Sequence, residues 1–335
     1  MKSFVRYLAA FAVLCALGFL LTPYHGDLYR KLLLWVSLAL SFNFLFAIAG
    51  QLAFSHFSFY GIGAYCIVIL VTQFGLPLWL AVPATLAVCV VISLAVALPA
   101  TRLEGFYLAL ASLAFAQLFV VALNEGGALT GATGGLANYR LPDIFGTRLT
   151  GASYTPVIAA VLLLTLAILW RLDRSWFGRA CRAVRDNHEA AAAMGINVRR
   201  TKVLAYACAS ALAGAAGMVY AFVDNTINPQ VFAVDNAFLL LFMVLVGGAG
   251  RHAGAVVGAV LLYVLPFLLA PLIGHHHALV FGLVMVLVVM FQPKGLIALW
   301  DRLVRLACVR WPACRAKPDT REAASDLAEP VRRSA

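Results

Sequence analysis

Residues 186–196 read Asp186-Asn187-His188-Glu189-Ala190-Ala191-Ala192-Ala193-Met194-Gly195-Ile196, a short segment with a signal at each end. Asp186 can accept the first free amides of a helix, and Glu189, three residues on, can reach back toward it as in a capping box. The alanines between supply the highest intrinsic helix propensity. Gly195 suits the left-handed residue that closes a helix, with Ile196 as the apolar residue behind it. The pattern predicts about two turns, roughly 12 Å long at 1.5 Å per residue. A helix this short is marginal alone in water and needs a surface to pack on, either its own protein or a partner. Its chemistry is contact, with no bond made or broken.

Other reactive residue types are present without the spacing that reactions need. No G-x-x-x-x-G-K-[ST] motif occurs, and Gly247-Gly248-Ala249-Gly250-Arg251 lacks the phosphate-binding lysine, so ATP would have to be used by a separate subunit. His275-His276-His277 are adjacent on a short turn, cannot all face one ion and lack zinc-site spacing, so a solvated turn is expected and no metal. Cys308 and Cys314 are too far apart for a C-x-x-C redox motif. No paired carboxylates or nucleophile–base pair stand out, which argues against an enzyme. Asp27, Glu104, Glu125, Asp173, Asp224 and Asp235 all fall in loops or at the ends of apolar runs. His56 is the one ionisable group inside such a run, expected as a partnered imidazole rather than an ion-coupling group.

The elements that must carry these residues are set by composition. Of 335 residues, 63% are hydrophobic and 12% charged, too apolar for a folded surface in water. Apolar runs over 7–22, 32–50, 52–74, 78–98, 106–123, 155–170, 203–223, 237–250, 253–273 and 278–291 predict an all-α, polytopic bundle. About ten transmembrane helices are expected, within a range of roughly eight to eleven. The third run carries Ser55, His56, Ser58, Gly61 and Gly63, and the eighth ends in glycines, so either is a candidate broken or re-entrant segment. The first run has no small-x-small cleavage site after it and reads as an uncleaved span.

Threading the chain with both termini in the cytoplasm leaves only Arg30, Lys31, Arg140 and Arg148 outside, with the other Lys and Arg inside. The formal charge of +11 is thereby explained without nucleic acid. Residues 1–300 are expected as the transmembrane domain, with an outer loop over 124–154 and a basic inner loop over 171–202. Residues 301–335 form an expected disordered cytoplasmic tail. All seven cysteines fall in spans or inside, as free thiols. Small residues recur every four positions at Gly250, Gly254 and Gly258, at Ser210 and Gly214, and at Ala213 and Gly217, a spacing for close helix packing within the subunit. Asn43, Gln51, Ser55 and Gln117 are polar residues within apolar runs; each either lines a pathway or bonds helix to helix.

Glu189-Ala190-Ala191, three residues, then Gly195 resembles the E-A-A-x-x-x-G signature of ABC importer membrane subunits. Gly50-Gln51-Leu52 with Gly61-Ile62-Gly63-Ala64-Tyr65, Leu103-Glu104-Gly105-Phe106-Tyr107-Leu108-Ala109 and Leu129-Thr130-Gly131 with Thr133 and Gly135 follow the same style. So do Ser175 through Asn187, Val246 through Gly250, and Phe291, Pro293, Gly295 and Leu296. Over about 32–300 this resembles the LivM-like permease subunits of branched-chain amino acid ABC importers. Departures lie at Ala53-Phe54-Ser55-His56, and at Ala132 and Gly134, where the family commonly has Gly and Asn.

The resemblance implies a bacterial inner-membrane permease, surrounded by membrane lipid and holding no cofactor itself. ATP and Mg would act on two cytoplasmic ATPase subunits, touched by a coupling helix that includes Asp186, Glu189, Ala190, Ala191 and Gly195. A second homologous permease would complete the pathway, with Asn43, Gln51, Ser55 and Gln117 as candidates to line it. A periplasmic binding protein would deliver the small-molecule substrate to the outer loop at Thr130, Gly131, Thr133 and Gly135. A permease for urea, amides or sugars shares most of these features, and a stand-alone carrier or channel is the remaining alternative.

Overall fold

The computed structural model describes residues 11–137, 139, 151–273, 282, 295 and 296, apart from 12, 19, 20, 102–104 and 225. They belong to the larger of two compact units, Met1–Leu296; the other covers Ile297–Ala335. Nearly all of the predicted span 278–291, His275 to His277, Glu104, Arg140, Arg148, Phe291, Pro293, Cys308, Cys314 and the tail 301–335 lie outside the described residues. The same holds for residues 7–10 of the predicted first span, of which residues 13–18 are helical.

Ten helices follow from Pro23 onward among the described residues: α1 (Pro23–Asn43), α2 (His56–Thr72), α3 (Leu78–Ala100), α4 (Phe106–Glu125), α5 (Thr155–Arg174), α6 (Trp176–Asp186), α7 (His188–Ala193), α8 (Val198–Val223), α9 (Val234–Gly247) and α10 (His252–Ile273). Five of the described helices are long and apolar enough to cross a membrane, α1, α3, α4, α5 and α8, while α2, α9 and part of α10 are shorter apolar helices. The protein is a helical membrane bundle. One departure from the all-helical expectation is a two-residue antiparallel ladder, β1 (Leu136–Ala137) with β2 (Thr226–Ile227), Leu136 lying opposite Ile227.

α1 starts at Pro23, well before the apolar run that predicted it, because Pro is tolerated in a first helical turn. The polar residues of that extension are paired. Arg30, only 3% exposed, binds Asp27, and Lys31 lies 2.9 Å from Asp224 at the end of α8. At its other end α1 passes into a π turn, Phe44–Ile48, before the chain reverses at Gly50 with φ +71°. α9, at about 21 Å for its length at 1.5 Å per residue, is shorter than the roughly 30 Å hydrocarbon core. It follows a 3-10 turn, Pro229–Phe232, whose Phe232 is buried among the rings of Phe57, Tyr60, Tyr65, Phe119 and Tyr220.

α2 and α8 form the centre and are buried on most of their faces. They cross where neither has a side chain: a methyl added to Gly63 would stand 2.2 Å from the Gly214 carbonyl oxygen. α3 lies along α8 through Ala81, Thr85, Cys89, Ser93 and Ala97, a stripe of small residues every four positions. α10 closes on α9 through Gly254 and Gly258, the latter against the Met243 carbonyl. Both small-residue faces therefore pack within the subunit. α3, α4 and α5 sit at the perimeter, with a third or less of their most apolar windows buried. The described cysteines, Cys15, Cys66, Cys89, Cys181 and Cys208, are free thiols.

Candidate functional site

The loop 171–202 folds into two helices because Ser175 and Asn187 each interrupt the chain with an extended backbone and a capping side chain. Ser175 Oγ accepts from Gly178 N and starts α6. α6 then stays helical through Asp186, whose carboxylate takes two bonds from Arg185 at 2.9 and 2.7 Å. Asp186 therefore does not cap α7, contrary to the sequence expectation: a residue with helical backbone cannot adopt the extended cap conformation. The cap is Asn187, with φ −159° and ψ 110°, whose Oδ1 accepts from Glu189 N at 3.0 Å and Ala190 N at 2.9 Å. Glu189 stands in the first turn, where a carboxylate favours the helix dipole.

The far end closes as a Schellman turn. Gly195 has φ +81°, Gly195 N donates to Ala192 O at 2.9 Å, and Ile196 N donates to Ala191 O at 3.0 Å. Ala191 is the one buried residue of α7, whereas Glu189, Ala190, Ala192, Ala193 and the following Met194 are exposed. The Ala191 methyl packs on the protein, His188 lines a cavity at the root of the helix, and Glu189, Ala190, Ala192 and Ala193 face outward.

Its base is fastened to the bundle. Arg185 Nη1 donates to Ala47 O at 2.5 Å, and its aliphatic stem covers Gly50, where an added methyl would meet Arg185 Cγ at 2.6 Å. Gln51 Nε2 donates to Lys202 O at 3.0 Å, joining the α1–α2 turn to the head of α8. A polar cavity of about 180 Å³ lies between these groups, lined in part by Gly50, Gln51, Arg185, His188 and Lys202. On the other side Arg182 of α6 pairs with the Asp173 carboxylate and donates to its carbonyl at 2.7 Å. Asp173 Oδ2 also lies 3.7 Å from His252 Nε2, at the start of α10. The sequence pattern named the exposed helix but missed Arg185, Gln51 and Asp173 as its anchors, although the motif around 185 and the Gly50-Gln51-Leu52 motif each gave a local signal.

The four candidate pathway residues separate. Asn43 Oδ1 accepts from Gly250 N at 2.9 Å, Ser55 Oγ lies 2.5 Å from Tyr206 OH, and both side chains are fully buried between helices. Gln51 belongs to the base of the loop 171–202. Gln117 alone is exposed, on the outer face of α4. His56 is buried with Nε2 3.0 Å from Ser41 Oγ, and its Nδ1 has no partner among the described residues.

The outer loop is held by its own backbone. Thr130 Oγ1 donates to Leu123 O at 2.6 Å, and Gln73 Nε2 donates to Leu129 O at 3.2 Å. Gly131 and Gly135 have φ of +75° and +69°, and a methyl on Gly135 would reach Ile227 O at 2.1 Å. Thr133 is exposed on the intervening 3-10 turn. Ala132 sits at φ +49°, a conformation that favours glycine, the residue common there in the resembled family. Tyr139 OH lies 2.7 and 2.9 Å from the carbonyl oxygens of Ala221 and Asp224, and burial pushes its phenol pKa up.

Apolar helices packed on a buried centre make a polytopic membrane protein, with one capped helix offered outward from a fastened loop. Residues 25–289 match the family described as "Branched-chain amino acid transport system / permease component", and the chain belongs to it. It is thus a permease component of an ABC transport system, in which ATP hydrolysis lies on other subunits. Among curated relatives, the high-affinity branched-chain amino acid permease protein LivM of Salmonella typhimurium is 27% identical over 88% of this chain and 75% of its own length. LivH of Escherichia coli, a permease protein of the same type of system, is 27% identical over 78% of this chain and 90% of its own. The autoinducer 2 import permease LsrC of Yersinia pestis is 28% identical over 48% and 45%. No solved structure matches.

Proposed function

We propose that this chain is one permease of an ATP-driven importer that moves branched-chain or related hydrophobic amino acids across the bacterial inner membrane. About ten spans are expected, with both termini cytoplasmic. A second homologous permease completes the pathway, α7 sits in a cleft of one of two cytoplasmic ATPases, and a periplasmic protein delivers substrate to the loop around Thr130, Gly131, Thr133 and Gly135. The observation that carries this reading is α7: a helix closed at both ends, exposed on nearly every face, and fastened at its root.

A six-residue helix is not stable in isolation, so two caps and an outward surface favour a partner that covers it. When the ATPases close, displacement of Glu189, Ala190 and Ala191 passes into Asp186 and Arg185. Arg185 holds the π turn of α1 through Ala47 O, and Gln51 holds α8 through Lys202 O, so three central helices receive the movement. Asn43 and Ser55 keep those helices in register, while Gln117 faces the pathway.

The test is the coupled ATPase rate of the assembled complex. Gly195→Leu forces a branched residue into the left-handed region at a cost of about 1–2 kcal/mol, and Glu189→Ala removes the first-turn carboxylate. Both variants are expected to copurify with their partners, and Gly195→Leu to lower substrate-stimulated hydrolysis about tenfold. Unchanged rates in both would remove the docking assignment. Uptake competition among leucine, urea and ribose identifies the substrate class, with leucine expected to compete.

A further inference from the structure

α3 and α8 run side by side, with Cys89 Sγ 2.6 Å from where a side chain on Gly214 would begin. At the end nearest the docking loop they leave a groove of about 510 Å³, lined by Leu98, Asn197, Arg199, Arg200, Val203 and Leu204. The groove has a graded wall. Leu98 and Leu204 are 45% and 51% exposed, and α3 continues outward with Val91 and Trp79 also exposed. An apolar surface of this kind on a perimeter helix faces hydrocarbon. At the groove's mouth Arg199 and Arg200 are exposed and form no ion pair among the described residues.

Both arginines lie in the first turn of α8, where the dipole adds to their attraction for an anion. The Asn197 amide oxygen beside them is occupied by Arg200 N at 2.9 Å and offers them no competing charge. Guanidinium groups match phosphate oxygens in fork geometry. Positive charge at the membrane surface with an apolar channel directly below it is the complement of a phospholipid, whereas a free phosphate would leave the channel uncovered.

We infer that the α3–α8 groove binds an anionic phospholipid of the cytoplasmic leaflet. The phosphate sits on Arg199 and Arg200, and an acyl chain lies along Leu98, Val203 and Leu204. Only Met194, Gly195, Ile196 and the cap Asn197 separate α7 from α8, so the lipid steadies the trailing end of the docking loop. The inference rests on the inward orientation of loop 171–202 in the function proposed above.

Full-length protein in nanodiscs of phosphatidylcholine, with or without phosphatidylglycerol, tests it by native mass spectrometry of retained lipid. Wild type is expected to retain phosphatidylglycerol, and Arg199→Gln/Arg200→Gln to bind it about thirtyfold more weakly. Leu98→Trp, which fills the channel and keeps both charges, is expected to lose the lipid while folding normally. Equal retention in all three proteins, displacement by inorganic phosphate alone, or protection of both arginines by the ATPase with no lipid present in the assembled complex would each overturn the site. ATP-driven uptake is measured separately: a protein that transports but holds no phosphatidylglycerol loses the lipid site and keeps its proposed function.

Discussion

Asn187 separates two helices that would otherwise merge, because its extended backbone points α7 away from α6 while its side chain takes up two free amides. Asp186 has similar chemistry and precedes it by one position, yet it spends its carboxylate on Arg185. Spacing alone could not distinguish these neighbours, since either Asp or Asn can cap and Glu189 is in the first turn in both registers. The deciding factor is how far α6 propagates from its own cap at Ser175. The two residues should therefore respond differently to truncation. Asn187→Ala is expected to cost α7 about 1 kcal/mol and to speed amide exchange at Ala190. Asp186→Ala loses an exposed ion pair worth less than about 1 kcal/mol and should leave exchange at Ala190 unchanged. Faster exchange in the Asp186 variant alone would restore the capping box predicted from sequence.

Among elements, the α2–α8 crossing sets how close the centre of the bundle can pack. Gly63 meets Gly214 backbone to backbone, and Gly217 meets the Tyr60 carbonyl, with a methyl at Gly217 standing only 1.9 Å from that oxygen. Gly63→Ala must push the helices apart, and an overpacked core contact of this kind costs about 1–3 kcal/mol. The expected result is a lower thermal midpoint in detergent; an unchanged midpoint would show that the crossing relaxes freely. The spacing of Ser210, Gly214 and Gly217 was readable because lipid rewards close backbone contact between small residues. The start of α1 was not, since Asp27, Arg30 and Lys31 dilute the apolar signal that tertiary pairing with Asp224 makes tolerable. Nor could hydropathy show that Phe232 turns inward among five rings, because that cluster gathers from three separate helices around a 3-10 turn.

At the scale of the whole molecule, α4 has two faces that make different demands on their surroundings. One buries Leu108, Ser112, Ala116, Val120 and Leu123 against the bundle. The other exposes Leu110, Leu118 and Val121, with Gln117 among them. Gln117 lies near the middle of a helix apolar enough to cross the membrane, and an amide there facing only hydrocarbon would leave its donors unpaired at several kcal/mol. The proposed pathway or second permease, lying beside it in the assembled transporter, would supply those partners. Val91 on α3 is also exposed but wholly apolar, and it asks for nothing except lipid. Single cysteines at the two positions, in a background lacking the native cysteines, should react differently with a membrane-impermeant thiol reagent. In the assembled complex Gln117→Cys is expected to be modified at a rate that changes between nucleotide-free and ATP-bound states, while Val91→Cys stays unmodified in both. If Gln117→Cys were as inert as Val91→Cys in every state and formed no crosslink to the second permease, α4 would be a lipid-facing helix and the pathway would have to lie elsewhere.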